Sequence, residues 1–159
     1  MTFRITTGSQ ALPPFQWSEF QVHSSVQDTT PQNGVLGTLN KLEWMNFHVN
    51  SGISPRQTKP GVMDGWSLWP VIGWCGDYSV TKRHELLKNG WPSNALLITT
   101  AKTQKGEDHC VLVVRLPDQD LVLDNLTDAL LQPNQTGHTF ELIQSEDNPH
   151  NWFKANLAQ

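Results

Sequence analysis

The chain has 159 residues, a formal net charge of −4, 37% hydrophobic and 16% charged residues, and 10 Pro and 11 Gly. That length suits one compact domain, and the composition excludes a disordered tail or a coiled coil and supplies no basic footprint for nucleic acid. No run of about 18 apolar residues exists, so no membrane span is expected.

Residues 1 to 34 are rich in Gln, Ser, Thr and Pro and are expected to form an irregular wrap over a main domain of residues 35–159. Met1 to Gly8 lacks the apolar stretch of a secretory leader, which predicts a cytoplasmic protein. Phe15 to Val22 partly alternates and reads as an edge strand, and Thr29 to Gly34 reads as a turn. From Val35 to Val49, the apolar positions Leu36, Leu39, Leu42, Met45 and Val49 recur every three or four residues, the mark of an amphipathic helix. A long loop follows from Asn50 to Trp74 and carries Asp64-Gly65-Trp66-Ser67-Leu68-Trp69; loops of this length inside a compact domain are often functional.

Asp77 to Asn89 is predicted as the second helix, with Asp77 as its N-cap and Gly90 as its C-terminal stop. Three strand-like runs come next: Ala95 to Ala101, Cys110 to Leu116 and Leu121 to Leu123. The separators Lys105 to Asp108 and Pro117 to Asp120 have hairpin chemistry, so the sheet should be antiparallel. Thr139 to Gln144 reads as an edge strand and the last dozen residues as loosely held. Helices first and strands after predict an α+β domain.

The two cysteines, Cys75 and Cys110, cannot build a disulfide framework and are expected as free thiols. Cys75 stands after a Gly/Pro/Trp-rich loop and just before a helix, where free N–H groups and the dipole favour a thiolate. A free cysteine is more often a small buried hydrophobe, and Cys110, inside an apolar strand, fits that description. His109 opens the same strand and by alternation faces as Val111 and Val113 do. Asp124 ends the next strand; a hairpin at 117–120 would bring it beside His109, where a carboxylate fixes the tautomer of an imidazole. Cys, His and Asp from a helix start and two adjacent strands make a thiol-hydrolase triad. His23, His48, His138 and His150 are expected to be surface or capping residues. Trp66 and Trp69 are candidates for the substrate groove, although core packing explains most of the seven tryptophans. No paired Cys or His spacing suggests zinc, and no metal or cofactor is expected.

Cys75-Gly76-Asp77-Tyr78, Lys82, Gly90, Gly106-Glu107-Asp108-His109-Cys110-Val111-Leu112 and Val122-Leu123-Asp124-Asn125 occur in this order. With Met45-Asn46, Val49-Asn50 and the Trp66 loop upstream, they resemble the bacterial transglutaminase-like cysteine peptidases, which include the LapG-type periplasmic proteases. The resemblance spans about residues 36 to 131. It implies a papain-like, transglutaminase-type fold, catalysis by Cys75, His109 and Asp124, and a protein or peptide substrate. Trp74 and Gly76 stand where relatives carry acids that help to bind calcium, so only Asp77 remains of that set and no calcium site is expected. The resemblance implies hydrolysis of a peptide or side-chain amide through a thioester. Acyl transfer or deamidation would use the same residues, and a silent binding module would keep them unused. Nothing in the sequence fixes the oligomeric state.

Overall fold

The computed structural model describes residues 2–59, 61 and 64–158; Pro60, Val62 and Met63 of the expected loop lie outside them, as do Met1 and Gln159. Its frame is a seven-stranded sheet in the order β1-β9-β8-β4-β5-β6-β7, in which every pairing is antiparallel. The strands are β1 (Arg4–Ala11), β4 (Leu96–Lys102), β5 (Asp108–Arg115), β6 (Asp120–Asp124), β7 (Thr127–Leu131), β8 (Thr139–Gln144) and β9 (Trp152–Ala158). Two short strands, β2 (Ser54–Pro55) and β3 (Ile72–Gly73), pair in parallel and close the base of the long loop.

Alternation along β5 divides the core. Cys110, Leu112 and Val114 join the layer under the helices, whereas Val111 and Val113 pack on the other face with Ile5, Leu97, Val122 and Phe140. The helical layer consists of α3 (Leu39–Gly52) and α4 (Cys75–Lys88), with the shorter α1 (Phe15–His23) and α2 (Val26–Thr29) beside them. The period of α3 buries Leu42, Met45, Asn46 and Val49, and Thr38 caps it by accepting the Lys41 N–H. The α+β architecture and the hairpin-linked strands agree with the sequence reading, and α3 keeps the expected apolar period but runs from Leu39 to Gly52 rather than from Val35 to Val49.

Five expectations need correction. Phe15 to Val22 is helical, because Trp17 and Phe20, three residues apart, are its buried pair, while Phe15 and Val22 stay exposed. The N-terminal wrap is not irregular: β1 pairs with β9 and is clamped by buried Asp120, which accepts the Ile5 N–H at 2.8 Å and two N–H groups of Arg115 at 3.0 and 3.1 Å. The C-terminal residues form β9, so β8 is an interior strand. Helix α4 begins at Cys75, not Asp77. Asp77 lies one turn in and accepts the backbone N–H of Trp74 at 2.8 Å, which caps the helix from inside. At its far end Gly90 takes φ +90°, and the Trp91 N–H returns to Leu86, as expected of a glycine stop.

Candidate active site

Helix α4 brings its first residue to the end of the sheet where β5 begins. There Cys75 and His109 line one cleft of about 260 Å³, together with Trp66, Trp74, Gly76 and Asp77. Cys75 is half-buried, and its sulfur faces the backbone N–H groups of Gly76 and of Cys110, the residue after His109. Burial pushes the Cys75 thiol up to about 12 against the pull of those two donors. The thiol is therefore protonated at neutral pH, and the helix start alone does not make it a thiolate as its position suggested. Cys110 is fully enclosed and is also pushed upward, first by burial and then by Cys75. Both cysteines are free.

His109 Nε2 lies 2.8 Å from Asp124 Oδ1. The register of β5 and β6 pairs Leu112 with Leu123, which carries the end of β6 to the start of β5. Burial pushes the Asp124 carboxyl up, but hydrogen bonds from His109 and His138 outweigh it and hold the group well below the usual carboxylate range. An ionised Asp124 only accepts, so His109 carries its proton on Nε2, and Nδ1 keeps a lone pair. Two asparagines of α3, one turn apart, grip the β6–β7 turn behind this carboxylate. Asn50 donates to the backbone oxygen of Asp124 at 3.0 Å, and Asn46 to those of Thr127 and Asp128 at 3.1 Å.

Trp66 lines the cleft, and its indole nitrogen rests on Gly76. Trp69 lies outside the cleft and is a loop anchor, which corrects its expected place in the groove. Its ring N–H donates to Glu85 at 2.8 Å and its backbone N–H to Thr81 at 3.0 Å. These bonds hold a non-glycine residue at φ +47°, a conformation that costs roughly 1 kcal/mol or more unless its surroundings impose it.

His138 is not a surface residue. It lies beneath the pair, 2.7 Å from the second oxygen of Asp124. Its neighbour Phe140, two residues on and also buried, carries the alternating signal that could have placed it. Lys82, which the motif series includes, is almost wholly buried. Its ammonium lies 5.9 Å from the centre of the Tyr78 ring, and burial lowers its pKa to about 7 against the attraction of Asp124 and Asp128.

The residues flanking Cys75 do not fit calcium. Asp77 already accepts backbone N–H groups on both oxygens, from Trp74 and Ser67, each at 2.8 Å. Any side chain at position 76 would meet Trp66 at 2.0 Å. Among the described residues the one group of three close metal-ligating side chains is His109, Asp124 and His138, which offers too few oxygens for a hard cation.

A thiol at a helix start that shares a cleft with a histidine–carboxylate pair at a sheet end is the layout of the transglutaminase-type thiol hydrolases. The model of one such family, described as bacterial transglutaminase-like cysteine proteinase (BTLCP), matches residues 7–159, and the chain belongs to that family of cysteine peptidases. Among solved structures it is similar to calcium-bound LapG of Legionella pneumophila, with a TM-score of 0.60, 25% identity, and 72% of this chain and 67% of that one covered. LapG treated with EGTA is similar in fold, with a TM-score of 0.58, 23% identity, and 72% and 66% covered. The chain thus spans about two thirds of the length of these LapG chains. Comparison with curated proteins gave no match.

Proposed function

We propose that the protein hydrolyses a peptide bond or side-chain amide of a protein through Cys75, His109 and Asp124. The observation that carries this reading is one cleft lined by both the Cys75 thiol and a histidine already fixed by a buried carboxylate. The thiol is protonated, so the nucleophile is made on demand. His109 Nδ1 takes the proton as the sulfur attacks the carbonyl carbon, and Asp124 stabilises the resulting imidazolium. The carbonyl π electrons move to oxygen. As the C–N bond breaks, His109 returns the proton to the departing amine and leaves a thioester. Water then gives a proton to His109 and attacks the thioester carbon; collapse releases the acid, and the sulfur regains its proton.

The backbone N–H of Cys75 opens a helix and is one donor for the oxyanion. The indole N–H of Trp66, resting on Gly76 at the same helix end, is the second in this reading. Residues 1–34 serve the same domain, because Pro14 and Gln16 line the cleft and would touch a bound polypeptide.

The test is hydrolysis of a panel of unfolded and bacterial surface proteins, read by mass spectrometry of the new termini. The wild type should generate new termini, and Cys75→Ala should generate none. Cleavage that survives in Cys75→Ala would remove the thiol from the reaction.

A further inference from the structure

We propose that His138 is a positioning residue for the histidine–carboxylate pair, a neutral second donor that fixes Asp124 in its working orientation. The inference rests on the catalytic reading above and extends it from three residues to four.

The segment that carries His138 is built to deliver it. Gln132 and Gln135 close a turn at 2.8 Å, Thr136 Oγ1 donates to Pro133 O at 2.8 Å, and the His138 backbone N–H returns to Thr136 Oγ1 at 3.1 Å. Gly137 takes φ +77°, which lets the chain turn under the sheet end. The imidazole, 6% exposed, is then held edge-on between two rings, His109 at 4.8 Å and Phe140 at 6.3 Å between centres. A ring clamped on both sides has little freedom to swing away from Asp124.

Three donors thereby hold the Asp124 carboxylate, with at least one on each oxygen. Oδ1 receives His109 at 2.8 Å and the Leu126 N–H at 3.1 Å, and Oδ2 receives His138 at 2.7 Å. An ionised carboxylate accepts only, so His138 also donates from Nε2. Its Nδ1 is buried and has no partner among the described residues. A protonated Nδ1 would be an unsatisfied donor on a buried cation, whereas an unprotonated Nδ1 is merely an unused acceptor, so the ring is neutral. A neutral donor has a consequence for the chemistry. It holds the carboxylate without cancelling its charge, which stays available to the imidazolium at His109. Without it, Oδ2 would be a bare buried anion, free to rotate and to pull harder on the His109 proton. The other titratable groups that act on this cluster are Lys82, Cys75 and Cys110, with Asp128 reaching it through Lys82.

The test uses iodoacetamide alkylation of Cys75 across pH 5 to 9, with mass spectrometry to assign the site and circular dichroism to verify folding. His138→Phe keeps a ring and loses the donor, and His138→Gln restores an N–H at a similar reach. We expect His138→Phe to slow alkylation at neutral pH by roughly 10- to 100-fold, the worth of a hydrogen bond to a charged group, and to move the acid limb to higher pH. His138→Gln should return both toward wild type. A wild-type rate and profile in His138→Phe, with slow alkylation in Asp124→Asn, would overturn the proposal and leave the three-residue reading intact. Slow alkylation in His138→Phe that glutamine does not rescue, with the profile unmoved, would assign His138 to packing and also overturn it. Unchanged alkylation in Asp124→Asn and His109→Ala as well would overturn the catalytic reading itself. Should His138→Phe fail to fold, nitrogen-15 NMR of the wild-type histidines decides. A neutral His138 protonated at Nε2 is expected, and protonation at Nδ1 would contradict the proposal.

Discussion

The indole nitrogen of Trp66 lies on the α-carbon of Gly76 so closely that a methyl group built there would sit 2.0 Å from it. This contact links the long loop to the helix start beside Cys75. It also explains why position 76 is glycine and not one of the acids expected from the relatives. Trp66→Phe keeps the ring and removes the N–H. If that group faces the developing oxyanion, turnover should fall on the order of 10²-fold, with little change in melting temperature. Turnover within a factor of two or so of wild type would reduce Trp66 to a packing residue.

Calcium should not matter to this protein. The two oxygens of Asp77 are committed to the Trp74 and Ser67 backbones, and Gly76 offers no ligand. Melting temperatures with calcium and with EGTA are expected to coincide. A shift of several degrees would mean that an oxygen cage forms elsewhere in the chain.

Lys82 makes stability depend on pH in a defined direction. Its folded pKa is lowered to about 7 from an ordinary 10.5, so between these values the unfolded chain binds more protons than the folded one. Stability should therefore rise as pH increases from about 7 toward 10. Below that window both states carry the charge, and the buried ammonium weighs fully against the fold. Lys82→Met should flatten the rise and stabilise the protein most at pH 6, on the order of a few kcal/mol. Urea unfolding from pH 6 to 10 reads the slope directly; an identical slope in the variant would show that Lys82 is not its source.

Much of the fold was legible because β4 to β6 and α3 follow local periods. The apolar runs around Cys110 to Val114 and Leu121 to Leu123, with polar hairpins between them, determine neighbours in sequence that are also neighbours in the sheet. The same logic brought His109 and Asp124 together, since they lie 15 residues apart across one such hairpin. What stayed hidden depends on long-range pairing. Trp152 to Ala158 looks loose alone and becomes a strand because β1, from the other end of the chain, pairs with it. His138 reaches Asp124 through a glycine turn, so the alternation it shares with Phe140 becomes legible only once β8 is known to be interior. Trp17 and Phe20 did carry a helical spacing, but Phe15 and Val22 gave the same segment an alternating look. Lys82 and Arg83 look like ordinary exposed helix charges. Arg83 is buried because it donates to the backbone oxygens of Asp28 at 2.6 Å and Leu96 at 3.1 Å, groups supplied by distant segments.

The central claim is that Asp124 sustains a histidine that activates Cys75, and one measurement tests it most directly. Wild type and Asp124→Asn are treated with limiting iodoacetamide at pH 7, and labelling of each cysteine is followed over time by mass spectrometry. Asparagine keeps the shape of the side chain and removes the charge that stabilises the imidazolium. The account predicts labelling of Cys75 well ahead of Cys110 in the wild type, because the first is only half-buried and the second is enclosed. It further predicts a loss on the order of 10²-fold at Cys75 in the folded Asp124→Asn protein, by analogy with the serine triad. Equal Cys75 labelling in the two proteins, or Cys110 labelled first, would contradict it.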